Sequence, residues 1–315
     1  MNACLRAAVR AGIGAGHEMV GIRRGYQGLL EADFHLDSDG QPRMTMRSVS
    51  GIVQRGGTML RTSRCQRFYA EEGLQAAADV LRKHRIDALV PIGGDGTFRG
   101  LVDLARFWDG QVIGCPGTID NDLLGTDYTI GFHTAVATAV DAVDKLRDTA
   151  ESHERLFLVE VMGRNSGHIA LYTALTGGAE IVCIPEATTD VAELSRTICA
   201  LKEAGKSSIL VIVAEGCSAG GAVALHEKLK DVSCPYSSRV VVLGHLQRGG
   251  PPAPADRLLA SRLGDFAVRS ILAGHGGSMA GELAGQLVLT PLAETFTRHR
   301  PVAPELVELL DRLAR

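Results

Sequence analysis

The sequence predicts an α/β protein of the doubly wound kind, and three observations carry that reading. Apolar runs rich in β-branched residues recur along the chain as unbroken stretches rather than alternating ones. Unbroken apolarity is what parallel strands need when helices cover both faces of their sheet. Helical patterns fill the intervals between these runs, so strand and helix alternate with right-handed crossovers. Glycine- and charge-rich stretches follow the strands directly, at the carboxyl ends where such sheets bind ligands.

In chain order, "MNACLRAAVRAGIG" has the apolar spacing of a helix, "GAGHE" reads as a turn and "MVGI" (19–22) as a strand. A helix is expected over "AEEGLQAAADVLRKH" (70–84), and a strand over "IDALVPIGG" (86–94) that runs through "GGDGT" into another helix. "QVIGC" (111–115) is a strand, followed by the acidic stretch "PGTIDND" and the long helix "HTAVATAVDAVDKLRDTAESH" (133–153). Strand "RLFLVEVMG" (155–163) leads through "RNSGH" into helix "SGHIALYTALTG" (166–177). Strand "EIVCIPE" (180–186), helix "DVAELSRTICALKEAG" (190–205), strand "SSILVIVAEG" (207–216) and strand "RVVVLGH" (239–245) come next. Helix "ADRLLASRLGDFAVRSILAG" (255–274) is the last strong pattern.

Composition excludes several classes. With 315 residues the chain suffices for one large or two modest domains. A net charge of −3 gives no bulk attraction for nucleic acid or membrane, and 4% aromatic residues leave few platforms for stacking bases. No apolar run reaches bilayer length, and "CLRAAVR" carries two arginines where a signal peptide would be apolar. Seven cysteines with no CxxC pair argue against a disulfide framework or a structural zinc site. Cys4, Cys115, Cys183 and Cys199 lie in apolar stretches and read as small buried thiols. A cytoplasmic location is expected.

Three features carry chemistry. In "PIGGDGTFRG", Gly93, Gly94, Asp95, Gly96 and Thr97 join a strand to a helix. Glycines let the backbone approach a phosphate, and the helix start offers free N–H groups; the carboxylate suits a metal bridging phosphates, or a simple N-cap. NAD and diacylglycerol kinases carry a similar string. In "CPGTIDNDLLGTDYTIG", Asp120, Asp122 and Asp127 fall within eight positions. Their mutual repulsion calls for a cation or basic partner, and the spacing of Asp120 and Asp122 lets one move a proton while the other serves a metal. Finally, Arg155 precedes and Arg164 follows one strand, while Arg239 precedes and His245 and Arg248 follow another. Arginine forks suit a sugar phosphate, and Glu215 after "ILVIVA" suits sugar hydroxyls.

Taken together, "GGDGT", "PGTIDNDLLGTDYTIGF", "SHERLFLVEVMGRNSGH" and "VLGHLQRGG" resemble the bacterial-type ATP-dependent 6-phosphofructokinases, in order and spacing, from Met1 to about residue 290. The resemblance implies two doubly wound, mostly parallel-sheet (Rossmann-like) domains. One covers residues 1–131 plus 249–298 and binds ATP and magnesium; the other covers 132–248 plus 299–315 and binds the sugar phosphate. It implies phosphoryl transfer from ATP to the 1-hydroxyl of fructose 6-phosphate, with Asp120 as general base, Arg164 stabilising the transferring group, Thr118 beside them, and Asp95 and Asp122 serving magnesium. ATP contacts fall on Arg64, Cys65, Gly94, Asp95, Gly96, Thr97 and Gly100. Cys65 stands where the family often has an aromatic residue. Sugar-phosphate contacts fall on Thr118, Ile119, Asp120, Met162, Gly163, Arg164, Glu215, His245, Leu246, Gln247 and Arg248. Arg155 and Arg239 match arginines reaching a neighbouring subunit's substrate, which implies an oligomer, usually a homotetramer. Pyrophosphate-using relatives carry Asp where this chain has Gly96 and Lys where it has Gly117, so ATP is the expected donor and a pyrophosphate enzyme the alternative. Arg6, Arg10, Arg147, Glu180 and Lys206 resemble the family's effector site, with Ala204 and Ser208 in place of basic residues. Control by a nucleoside diphosphate or phosphoenolpyruvate is the corresponding expectation. In the family a first strand and a GGDxPG turn precede "MNA". The sequence is therefore expected to be a partial chain or one read from a late start. As written, it is expected to bind ATP weakly and fold poorly, or to act as an impaired binding subunit.

Overall fold

The computed structural model describes residues 1–153, 155–232 and 236–314. The chain divides into two compact units. The first comprises Met1–Thr118, Leu123–Gly131 and Gly250–His299; the second comprises Ile119–Asp122, Phe132–Gly249 and Arg300–Arg315. The short segment Ile119–Asp122 sits with the second unit, not with the first as the sequence suggested. The Ser166 hydroxyl donates to the Asp120 carbonyl at 2.9 Å, and the Arg300 N–H donates to the Asp122 carbonyl at 2.8 Å.

In the first unit, α1 (Asn2–Gly14), α2 (Gly25–Leu30) and α3 (Glu71–Lys83) precede two short strands, β1 (Ala88–Leu89) and β2 (Ile92–Gly93). Then come α4 (Asp95–Leu104) and β3 (Gln111–Pro116). Both short strands pair in parallel with β3, at Ala88 opposite Gln111 and at Ile92 opposite Cys115. The single strand expected over "IDALVPIGG" is thus divided around Pro91, which has no N–H to give a ladder. Its carbonyl still accepts from the Cys115 N–H at 2.8 Å. The "MVGI" stretch forms no strand; Met19 and Ile22 make isolated antiparallel bridges to Met44 and Phe34. Helix α9 (Pro254–Leu272) packs along α1, and Gly264 permits it, because a Cβ there would lie 2.5 Å from the Cys4 carbonyl oxygen. Strands β8 (Ser278–Leu283) and β9 (Gln286–Pro291), which the sequence does not announce, complete the sheet in the order β1-β3-β8-β9, with β8 parallel to β3 and antiparallel to β9.

The second unit holds α5 (Phe132–His153), β4 (Arg155–Val161), α6 (His168–Gly177), β5 (Ile181–Cys183), α7 (Val191–Glu203) and β6 (Ile209–Ala214). It continues with α8 (Gly221–Lys230), β7 (Ser237–Val242) and the terminal α10 (Pro304–Leu313). Its four strands run in the order β5-β6-β4-β7, and every pair is parallel. Strand β6 is buried at each position from Ile209 to Ala214, as its unbroken apolar sequence demands. Asp190 caps α7 by accepting from the N–H groups of Ala192 and Glu193. Helix α8 is not expected from the sequence; its second residue, Ala222, donates its N–H at 2.7 Å to the carboxylate of Glu160 on β4.

Candidate active site

The phosphate-loop candidate lies in the first unit, where β2 passes into α4. The Gly94 carbonyl accepts from the N–H groups of Thr97 and Phe98, so Gly94 caps the helix and Asp95 opens it. A Cβ on Gly93 would fall 2.2 Å from the Thr97 hydroxyl, so the loop closes only around glycine. A Cβ on Gly96 meets nothing within 4 Å: that face of the helix start is open. Thr118 stands beside Gly94, 3.4 Å from where a Cβ would be, and the Gly117 N–H donates to the Gly93 carbonyl at 2.8 Å. The two motifs are therefore joined at their backbones.

Behind the loop, the Tyr26 hydroxyl donates to the Thr97 carbonyl. Its ring stacks on Phe68 with centroids 3.7 Å apart, and Gly100 leaves room for it. Nothing local in the sequence marks Tyr26, because it lies so far from the loop in the chain. Arg64 is exposed, whereas Cys65 turns its thiol into the core with Leu29, Phe68 and Leu74.

The second unit gathers most of the remaining candidates at the carboxyl end of its sheet. Asp120 is only 6% exposed, and its Oδ2 lies 3.9 Å from Nε of Arg164, which is exposed. Burial pushes the Asp120 carboxyl up to about 6; Asp122 adds to the rise, while Arg164 and Arg248 oppose it. Asn121, between the two acids, adopts a left-handed backbone with φ 54°, a conformation that asparagine tolerates.

The loop after β4 is held by acceptors from remote parts of the chain. Oε1 of Glu215 accepts from the N–H of Gly163 at 3.2 Å and from that of Arg164 at 2.7 Å. Oε1 of Glu186 accepts from the Gly167 N–H at 2.8 Å. Gly163 has φ 142°, and a Cβ there would lie 2.4 Å from the Ser166 carbonyl oxygen, so glycine is required. Arg164 is left-handed at φ 51°, and the Arg164 carbonyl oxygen would lie 1.8 Å from a Cβ on Gly216. Sequence reasoning misses Ser166 and Glu186, since their partners lie far away along the chain. Met162 is buried at the strand end.

His245, Leu246 and Arg248 are exposed on the 3-10 turn Gly244–Arg248, but Gln247, expected among the sugar-phosphate contacts, is buried. Ile119 joins this unit next to Asp120. Arg155 opens β4 opposite Ser237, and Arg239 lies opposite Phe157. Both therefore sit toward the amino end of the sheet. Six residue steps separate Arg155 from Val161, roughly 20 Å of strand.

Arg147, Glu180 and Lys206 also converge. Glu180 Oε1 lies 3.3 Å from the Lys206 ammonium and 4.0 Å from the Arg147 guanidinium, while Oε2 accepts from the Leu210 N–H at 2.9 Å. Arg6 and Arg10 lie on α1 of the first unit. Among the described residues, no three His, Cys, Asp or Glu side chains cluster to hold a metal by themselves. Magnesium is commonly held by one or two carboxylates beside substrate phosphates, a donor type that Asp95 of the first unit and Asp122 of the second each supply.

One unit with a glycine loop at a helix start and another with a buried carboxylate beside an arginine make this an α/β protein of the ligand-binding, doubly wound class. A family profile described as Phosphofructokinase matches residues 1–271, and the chain belongs to that family. It is 47% identical over 314 residues to the ATP-dependent 6-phosphofructokinase 1 of Thermus thermophilus, covering 100% of this chain and 95% of the relative. It is also 47% identical over 315 residues to the ATP-dependent 6-phosphofructokinase of Paenibacillus macquariensis, again with 100% and 95% coverage. Among solved structures, Pichia pastoris phosphofructokinase in the T-state matches with a TM-score of 0.84 and 32% identity, covering 99% of this chain and 35% of that one. The chain thus spans about a third of the yeast protein. A pyrophosphate-dependent phosphofructokinase from Marinobacter aquaeolei shares the fold at a TM-score of 0.82 and 20% identity.

Proposed function

We propose that the chain transfers the γ-phosphoryl group of ATP to the 1-hydroxyl of fructose 6-phosphate, giving ADP and fructose 1,6-bisphosphate in glycolysis. The observation that carries this reading is Asp120: a carboxyl nearly buried, held near 6, with Arg164 beside it. In its ionised form Asp120 takes the hydroxyl proton as the sugar oxygen forms its bond to phosphorus and the bond to ADP breaks. Arg164 spreads its positive charge against the equatorial oxygens of the transferring group, which suits its exposed guanidinium. Glu215, with its remaining oxygen, and His245 and Arg248 serve the sugar phosphate. The glycine loop and the start of α4 serve the nucleotide phosphates. Asp95 in the first unit and Asp122 in the second are the carboxylates that would serve magnesium, which would supply charge neutralisation beside the phosphates.

Open space at Gly96 supports ATP as donor, because it leaves room for the α-phosphate that an Asp side chain would fill. Relatives at 47% identity named as ATP-dependent support it as well. A coupled assay tests this: turnover with ATP and little with pyrophosphate is expected, and the reverse pattern overturns the donor assignment.

The same reading makes the protein a homotetramer whose Arg155 and Arg239 complete a neighbour's site. No helix among the described residues is long and apolar enough to cross a membrane, and a cytoplasmic location fits a glycolytic role. The Arg147–Glu180–Lys206 cluster is proposed to bind a nucleoside diphosphate or phosphoenolpyruvate. Titrating ADP against the fructose 6-phosphate saturation curve should shift half-saturation; an unmoved curve removes the effector role.

A further inference from the structure

Gln247 lies on the same short turn as the exposed basic residues His245 and Arg248, yet it is 1% exposed. Its amide is used inside the protein on both sides. Oε1 accepts from the Met162 N–H at 2.8 Å, and Nε2 reaches the Ala135 carbonyl on α5 at 3.5 Å. Met162 is the first residue after β4 and the entry to the loop that carries Arg164. That loop carries strain at Arg164, a non-glycine residue held left-handed at φ 51° beside Gly163 at φ 142°. Such conformations persist only where surrounding bonds over-determine them. Gln247 supplies one of those bonds, and Glu215 supplies two more. The Gln247 backbone, meanwhile, belongs to the turn that presents His245 and Arg248.

We propose that Gln247 is a positioning residue for the phosphoryl-transfer site. It ties the His245–Arg248 turn to the Met162–Arg164 loop and to α5, so that the sugar-phosphate contacts and the arginine facing Asp120 are held as one frame. Its side chain is buried and acts through these neighbours. This inference rests on the proposed function for its kinetic readout, but the tie itself is a property of the free chain.

Gln247→Met keeps the side-chain volume and removes both polar atoms, leaving the buried Met162 N–H and Ala135 carbonyl without this partner. A lost bond of this kind is worth about tenfold or more in an equilibrium or a rate. Two readouts are made on the full-length protein. Amide exchange of the peptide spanning Met162–Arg164 should speed up by about tenfold in Gln247→Met, while exchange in β6 stays unchanged. In steady-state kinetics, kcat/KM for fructose 6-phosphate should fall by about tenfold or more, while KM for ATP moves less than about twofold. Gln247→Glu retains an acceptor for Met162 and should recover part of both losses. Should Gln247→Met not fold, Gln247→Asn, whose shorter side chain withdraws the amide from the Met162 N–H and the Ala135 carbonyl, carries the same comparison.

A folded variant with lowered Tm but unchanged kcat and KM makes Gln247 merely structural and overturns the proposal. Unchanged exchange at Met162–Arg164 overturns it as well. If the natural chain itself transfers no phosphoryl group, the proposed function fails, and the exchange measurement still decides the tie.

Discussion

Burial holds the Asp120 carboxyl near 6, well above the 3.8 of an ordinary aspartate, and this one change has two opposite consequences. Under the proposed function Asp120 must be ionised to act as base, so turnover should fall as pH drops through about 6. For stability the sign reverses. The folded chain binds the proton more tightly than the unfolded chain, so stability declines as pH rises from about 4 to about 6 and the carboxylate becomes charged in place. Asparagine carries no such charge. Asp120→Asn should therefore raise stability at pH 8 by up to about 3 kcal/mol, since each pH unit between the folded and unfolded values is worth about 1.4 kcal/mol. That gain should vanish below about pH 4. Thermal melts of both proteins at the two pH values measure it; equal Tm at pH 8 would mean that burial does not penalise the charge.

At the level of elements, the strands and motifs with strong local signals are legible in the sequence, and those depending on distant partners are not. Strand β6 is apolar throughout and buried throughout, so sequence and structure agree. "IDALVPIGG" looks like one strand because apolarity alone does not register that Pro91 lacks a donor. Helix α8 is invisible since its start is satisfied by Glu160, sixty-two residues away, rather than by a local cap. Strand β8, "SMAGEL", has small and polar residues with weak strand preference. In the site, Asp120 and Arg164 stand out from their motifs, while the bonds of Glu215 and Gln247 to the loop after β4 span 51 to 85 residues and leave no local trace.

Strand geometry also bears on assembly. Arg155 begins β4, roughly 20 Å along the strand from the loop carrying Arg164. In the proposed homotetramer, an arginine so placed reaches the substrate of another copy of the chain. Mixing inactive Asp120→Ala and Arg239→Ala chains should then restore part of the activity, because one hybrid site retains both groups. Hybrids no more active than either parent would place these arginines outside the reaction.

Across the whole molecule, the proposed function assigns a different recognition task to each unit. The first offers a glycine loop with an open face at Gly96 and carboxylate Asp95 at the start of α4. The second offers Asp120, Arg164, Glu215, His245 and Arg248 at the carboxyl end of a fully parallel sheet. This division suits a reaction whose catalysis is positioning and charge stabilisation rather than covalent chemistry.

Everything in this division turns on Asp120 as the base of an ATP-dependent phosphoryl transfer to fructose 6-phosphate. Comparing kcat with sugar-phosphate affinity in Asp120→Asn and in the natural chain tests that role without intermediaries. If Asp120 takes the hydroxyl proton, kcat falls by about 10²–10⁴-fold while the Kd for fructose 6-phosphate changes by less than about threefold. A kcat within about threefold of the natural chain would rule Asp120 out as the base.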